Sequence, residues 1–328
     1  MKISLTGIQP TGEVHIGNYF GAIKPAIENS SKYQSFYFIA DYHALNGIKD
    51  TKLIAANTLN VAASWLACGL DPKKVLFYRQ SQIPQIFELE TILSCFMPKG
   101  LLNRAHSYKD KVAKNRGGGQ SDDFDINVGL FSYPLLMASD ILIFHSDLVP
   151  VGKDQKQHLE ITAEVARIVN SSTGKSVLTV PKAQINEQMQ VIGLDGRKMS
   201  KSYNNIIPLF ASETKLKKIV GRVVTNSQSV KEKKDPSQSN IFALFSLFAD
   251  EKEKKHFASR FTDGGLGWGE AKAILFNKMN EAISPMRDEF DYLRANSKIV
   301  EKILDEGSLR AREIAQNNLR RIKRTLGF

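Results

Sequence analysis

Ile3-Ser4-Leu5-Thr6-Gly7-Ile8-Gln9-Pro10-Thr11-Gly12-Glu13-Val14-His15-Ile16-Gly17-Asn18-Tyr19 sets a strand-like apolar run, a glycine-punctuated turn and a helix start in direct succession. Ile3–Leu5 reads as the strand. From about Gly17, Tyr19, Phe20, Ile23 and Ile27 recur at helical spacing. A helix N-terminus presents free N–H groups and positive potential, which suits a phosphate. Gly7, Gly17 and Gly21 lack a Cβ, so a nucleotide or backbone can approach closely. His15, near the helix start, has an N–H to offer a phosphate oxygen. Read alone, the His-x-Gly-Asn turn is equally a helix start with an incidental histidine.

Working outward, strand-like runs recur at Phe36–Ile39, Val75–Tyr78, Ile141–Phe144 and Val177–Val180. Helical patterns fall between them at Lys52–Leu66, with an apolar stripe at Val61, Ala62, Trp65 and Leu66, and at Glu88–Phe96. Alternation of this kind predicts an α/β fold with a doubly wound, Rossmann-like parallel sheet. Such sheets bind ligands beyond the carboxyl ends of their strands. The Gly7–Gly17 turn and Asp41-Tyr42-His43 both follow strands and belong at that edge. After Ser202 strand signals almost vanish, and Lys-rich helical segments run from about Leu216 to Ile283. The expected division is a catalytic unit over 1–205, a helical unit over 206–289 and C-terminal helices over 290–328. The Gly264–Gly269 stretch follows no strand and reads as a turn, not a phosphate loop.

A second motif, Lys198-Met199-Ser200-Lys201-Ser202, lies between Asp195-Gly196-Arg197 and Tyr203-Asn204-Asn205. Two lysines three apart in a polar turn make a mobile cationic loop that can close over a polyphosphate. An isolated K-x-x-K is a solvated basic turn; here a second nucleotide-type motif stands beside it. Together the two resemble the paired signatures of class I aminoacyl-tRNA synthetases. The further wording Tyr133-Pro134, Met137-Ala138-Ser139-Asp140-Ile141-Leu142 and Pro150-Val151-Gly152-Lys153-Asp154-Gln155-Lys156-Gln157-His158 is similar to the bacterial tryptophanyl-tRNA synthetases. The resemblance spans at least residues 1 to 205, and the total length also fits. Leu5 departs from it, since an aromatic often stands there.

The resemblance implies two-step chemistry with ATP and Mg²⁺: tryptophan is activated as its adenylate, then transferred to tRNA(Trp). It implies ATP binding by Gln9, Gly17, Asn18, Gly21, Asp154, Lys198, Met199, Ser200 and Lys201. Lys198 and Lys201 would neutralise the leaving pyrophosphate, with His15 and Lys111 in the phosphate region. Tryptophan would be held by Leu5, Gly7, His43, Tyr133, Met137, Asp140, Ile141 and Gln155. Asp140 is the candidate reader of the indole N–H, because an otherwise apolar helix has no other reason to carry a charge. The resemblance also implies a homodimer, a helical unit that reads the anticodon, and C-terminal helices that return to the first unit.

Composition fits this reading. The 328-residue chain is 42% hydrophobic and 24% charged, long enough for two units. Its net charge of +11 suits a polyanionic partner, with basic clusters at residues 99–116 and 320–324. The Gly117–Asp123 stretch reads as a flexible loop, either touching nucleic acid or simply solvated. No run reaches membrane-span length, no signal-peptide pattern opens the chain, and no metal site is expected. Cys68 and Cys95, both in apolar helical contexts, read as buried, reduced thiols of a cytoplasmic protein. The rivals are a tyrosyl-tRNA synthetase, another nucleotidyltransferase of similar fold, and a non-enzymatic RNA-binding protein on a decayed synthetase scaffold.

Overall fold

The computed structural model describes residues 1–152, 155–185 and 190–328. Five parallel strands, β1 (Ile3–Ile8), β2 (Gln34–Ile39), β3 (Leu76–Arg79), β4 (Leu148–Val151) and β5 (Lys182–Ile185), form one sheet of order β3-β2-β1-β4-β5. The chain winds outward from β1 through β2 to β3, then crosses back to β4 on the other side of β1. That reversal puts a topological switch point at the carboxyl end of β1.

Helices cover both faces. α1 (Ile16–Asn18) runs through a π-type turn at Tyr19–Ile23 into α2 (Lys24–Asn29). α3 (Asp41–Ala44) and α4 (Thr51–Ala67) follow β2. α5 (Pro84–Ser94), α6 (Lys99–Asn103), α7 (His106–Gly117) and α8 (Val128–Leu142) connect β3 to β4. α9 (Lys156–Thr173) precedes β5. The period-two geometry of a strand explains why β2 is apolar at successive positions. Phe36 and Phe38 join a core with Leu5, Tyr78 and Ile141, while Tyr37 and Ile39 join Ile8, Val61 and Trp65 on the opposite face.

Beyond the sheet lie α10 (Glu213–Gly221), α11 (Asn240–Ser246), α12 (Glu251–Asp263), α13 (Trp268–Ala295) and α14 (Ser297–Leu326). A third core joins Leu216, Leu244, Phe257 and Leu275 of these helices to Ile16, Phe20 and Met199. α13 is continuous across residues 289 and 290. α14 lies directly on β3: a Cβ added at Gly307 would stand 1.8 Å from the Phe77 carbonyl oxygen.

Two expected strands are corrected. Ile141–Phe144 closes α8 and its turn, and the fourth strand is Leu148–Val151. The run is buried throughout, and an apolar stretch with no polar face carries no period to separate helix from strand. Val177 and Leu178 are core residues ahead of the fifth strand, which begins at Lys182. The expected burial of the cysteines is corrected as well: Cys95, at the end of α5, is exposed, and Cys68 is half-buried.

Candidate active site

A cleft of about 1060 Å³ opens at the switch point, at the carboxyl end of β1. Gly7, Gln9, Thr11, Gly12, His15, Gly17, Asn18 and Gly21 line one wall, and Lys198, Met199, Ser200 and Lys201 the other. The turn after β1 is closed by the Thr11 N–H donating to the Gln9 carbonyl at 2.9 Å. Gly12 takes φ +74, which a side chain would strain. The His15 N–H donates to Asn18 Oδ1 at 3.1 Å, fixing the start of α1. A Cβ at Gly17 would lie 2.9 Å from His15 Nδ1, so the glycine makes room for the imidazole against the helix start. Burial, and then the Lys201 charge, push the His15 pKa down to about 4. His15 is therefore neutral near pH 7 and offers a single ring N–H.

The second signature is held from below by Asn205, which is 2% exposed. Asn205 Nδ2 donates to Asp195 Oδ1 at 2.7 Å and to the Lys198 carbonyl at 3.2 Å. Its Oδ1 accepts from the Ser200 N–H at 2.8 Å. The first of these bonds, with help from Arg197, holds the Asp195 carboxyl down at about 2. Gly193 is required beneath it, since a Cβ there would meet Asn205 Cγ at 2.4 Å. The loop is thus anchored at its base. Met199 is buried against the Ile16 and Phe20 cluster, while Lys198 and Lys201 project from the loop as exposed residues. Lys201 Nζ reaches across to the Thr11 carbonyl at 2.6 Å. Downstream, Leu209 N–H donates to the Val14 carbonyl and Ile16 N–H to the Ile207 carbonyl, at 2.9 and 3.0 Å. The two signatures are therefore joined by backbone as well as by Lys201.

Asp140 lies on α8 with no exposed surface. His43 Nε2 is 2.9 Å from its Oδ2, and Gln80 Nε2 is 2.9 Å from both its oxygens. Burial raises the carboxyl pKa, and the bonds from His43 and Gln80 oppose that rise. The Tyr133 hydroxyl bonds His158 Nε2, and its ring stands edge-on to His43 with centroids 6.2 Å apart. Leu5 and Ile141, each 1% exposed, share the core of this face, and Met137 packs partly buried against it. Gly7 lies on the same strand face as Leu5, with a Cβ there 2.8 Å from Phe38 Cζ. Gln155 stands at the start of α9.

A sequence profile described as "tRNA synthetases class I (W and Y)" matches residues 2–284. The chain is 47% identical over 311 residues to a tryptophan–tRNA ligase of Xanthomonas axonopodis pv. citri, covering 94% of this chain and 72% of that one. It is 44% identical over 325 residues to a tryptophan–tRNA ligase of Campylobacter jejuni, covering 99% of each. The chain belongs to the class I tryptophan–tRNA ligases. A crystal structure of the Campylobacter jejuni tryptophanyl-tRNA synthetase, complexed with ADP and tryptophan, superposes with a TM-score of 0.92 at 45% identity. It covers 99% of this chain and 100% of that one.

Within this synthetase fold the expected residues do not all meet at the cleft: of the tryptophan set only Gly7 is among the described residues that line it, while Leu5, His43, Tyr133, Met137, Asp140, Ile141 and Gln155 lie outside that lining. Lys111 is paired with Asp125 at 2.8 Å on α7 and does not line the cleft. Asp154 lies outside the described residues. The Gly117–Asp123 stretch is tied down rather than loose: Arg116 grips the Asp122 carboxylate through two nitrogens, and Asn115 Nδ2 donates to the Asp122 and Phe124 carbonyls. Two residues of the site were missed in the sequence, and Asp41 was placed at the sheet edge without a role. Gln80 lies two positions past the third strand-like run, so its place at the carboxyl edge was a usable signal. Asn205 and Asp41, which accepts from the Ser81 N–H at 3.0 Å, act through partners with no sequence periodicity.

Proposed function

We propose that this tryptophan–tRNA ligase activates L-tryptophan in the cleft between its two signature loops. The observation that carries the reading is the Lys201 ammonium lying 2.6 Å from the Thr11 carbonyl, across the cleft from the helix start. In the first step the tryptophan carboxylate attacks the α-phosphorus of ATP. The bond to the bridging oxygen breaks, and pyrophosphate leaves. This step needs positioning and charge stabilisation more than covalent help. Gln9, Gly17, Asn18 and Gly21 would hold the nucleotide. Met199 would back the adenine, and neutral His15 would donate its N–H to a phosphate oxygen. Lys198 and Lys201 would take the charge that builds on the departing pyrophosphate.

Asp140 would accept the indole N–H, with Gly7, His43, Tyr133, Met137 and Gln155 around the amino acid. A carboxylate with no exposed surface can discriminate, because a ligand lacking the donor leaves it unpaired. Mg²⁺ would enter on the phosphates through water and phosphate oxygens. Among the described residues no group of three or more His, Cys, Asp or Glu side chains is placed to hold a metal. In the second step the 3′-terminal ribose of tRNA(Trp) takes the acyl group. We assign residues 1–205 to catalysis, 206–289 to the anticodon and 290–328 to support of the catalytic unit, in a cytoplasmic homodimer. No helix among the described residues is long and apolar enough to cross a membrane.

Amino-acid-dependent exchange of ATP with pyrophosphate tests the reading. Tryptophan should support Mg²⁺-dependent exchange, with little from tyrosine or phenylalanine. Equal or better exchange with tyrosine would overturn it.

A further inference from the structure

We propose that Gln80 is a positioning residue for tryptophan selection, holding the Asp140 carboxylate in the one orientation that leaves it aimed at an indole N–H. The proposal rests on Asp140 being the indole acceptor. Gln80 has no exposed surface and sits in the turn that directly follows β3. Its amide is used at both ends. Nε2 lies 2.9 Å from Asp140 Oδ1 and 2.9 Å from Oδ2. Oε1 accepts from the Tyr42 N–H at 3.2 Å and the His43 N–H at 3.4 Å. Only one amide orientation satisfies this arrangement. Flipped, the amide would set its NH₂ against two backbone donors and its oxygen against a carboxylate.

The turn that carries Gln80 is fixed on either side, before it by the Arg79 N–H donating to Ser308 Oγ at 3.3 Å. The Ser81 N–H donates to Asp41 Oδ1 at 3.0 Å, and Arg312 Nη2 of α14 donates to the Gln82 carbonyl at 2.9 Å. The backbone at Gln80 is therefore set independently of its side chain. Among the described residues Asp140 has two polar side-chain partners at hydrogen-bond distance, His43 and Gln80. His43 takes Oδ2 alone, whereas Gln80 spans both oxygens. Gln80 is thus the group that fixes rotation of the carboxylate about its own axis. A carboxylate free to rotate would still accept a hydrogen bond, but it would no longer punish a ligand without the donor.

The test compares L-tryptophan with the isosteric amino acid that carries sulfur in place of the indole N–H, in wild type, Gln80→Met, Gln80→Glu and Asp140→Leu. Gln80→Met keeps the length and removes the bonds. It should lower the preference for tryptophan over the sulfur isostere by at least about tenfold, with the KM for ATP nearly unchanged. A parallel fall for both amino acids, or an unchanged preference, would show a merely structural role and overturn the proposal. Gln80→Glu keeps the shape and serves if the methionine variant does not fold. Its carboxyl donates only when protonated, so the preference should return as pH falls from about 9 to about 6. Asp41 and His43 of α3, Tyr78 of β3 and Glu90 of α5 also face Asp140, and they are shared with wild type. A selectivity profile parallel to wild type would therefore count against Gln80. Asp140→Leu, which keeps a similar volume and removes the acceptor, separates the two layers. If it keeps the preference for tryptophan, the indole reading itself fails and the proposal falls with it. If it loses the preference while Gln80→Met keeps it, the proposal for Gln80 alone fails.

Discussion

Replacing Asn205 by alanine would strip the second signature loop of its support without touching either lysine. Asn205 makes three hydrogen bonds beneath the loop: to Asp195 Oδ1 at 2.7 Å, to the Lys198 carbonyl at 3.2 Å and from the Ser200 N–H at 2.8 Å. Alanine leaves the Ser200 N–H and the Lys198 carbonyl without that partner. An orphaned group costs roughly 1–3 kcal/mol when buried, and less where water reaches it. Ser200 is half-buried, so the loop should lose about 2–3 kcal/mol relative to its alternatives. If only the ordered loop stabilises departing pyrophosphate, that loss appears as a fall of about thirtyfold to 150-fold in the adenylation rate. Asp140 lies in a different core, so the KM for tryptophan should change by less than about twofold. Rapid-quench measurement of adenylate formation, with circular dichroism as the control for folding, reads both quantities. A folded Asn205→Ala protein that forms adenylate at the wild-type rate would refute the argument that this side chain holds the loop.

Gly307→Ala should destabilise the protein by about 3 kcal/mol or more, because the new methyl meets the β3 backbone rather than a side chain that can move. A chemical-denaturation midpoint within error of wild type would contradict that packing. Stability should also fall as pH drops from about 6.5 towards about 4. Burial holds His15 and His145 at about 4 in the folded chain, whereas unfolding frees them to take protons in that window. Their contribution is fully present above the ordinary histidine pKa. A His15→Gln, His145→Gln double variant should show a shallower acid loss, and an unchanged acid limb would count against the assignment.

The fold was legible where burial follows strand period. β1, β2 and β3 announce themselves because alternate residues feed two different cores, as Phe36 and Tyr37 do. β4 and β5 were misplaced because Ile141–Phe144 and Val177–Val180 are as apolar as strands while sitting in helix ends and loops. In the site, Asp140 stood out as a charge in an apolar helix, and the structure places it fully buried. Lys111 was carried by resemblance alone, and Asp125, 14 positions away, takes its ammonium. Nothing in the sequence pairs Lys201 with Thr11, 190 positions apart, or Gln80 with Asp140, 60 apart. Those contacts exist only because the sheet order brings the ends of β1 and β3 and the later loops to one edge.

The central claim is that the loop from Lys198 to Ser202 acts at the moment pyrophosphate leaves. Single-turnover kinetics on Lys201→Ala test it most directly. A charged contact realised in the transition state is worth a few kcal/mol, so adenylation should slow by roughly a hundredfold or more. Tryptophan affinity should barely change. Transfer from preformed adenylate to tRNA should suffer less, because pyrophosphate has already departed. Adenylation at the wild-type rate in Lys201→Ala would mean that the ammonium beside Thr11 is a solvated basic residue and that the catalytic account of this loop is wrong.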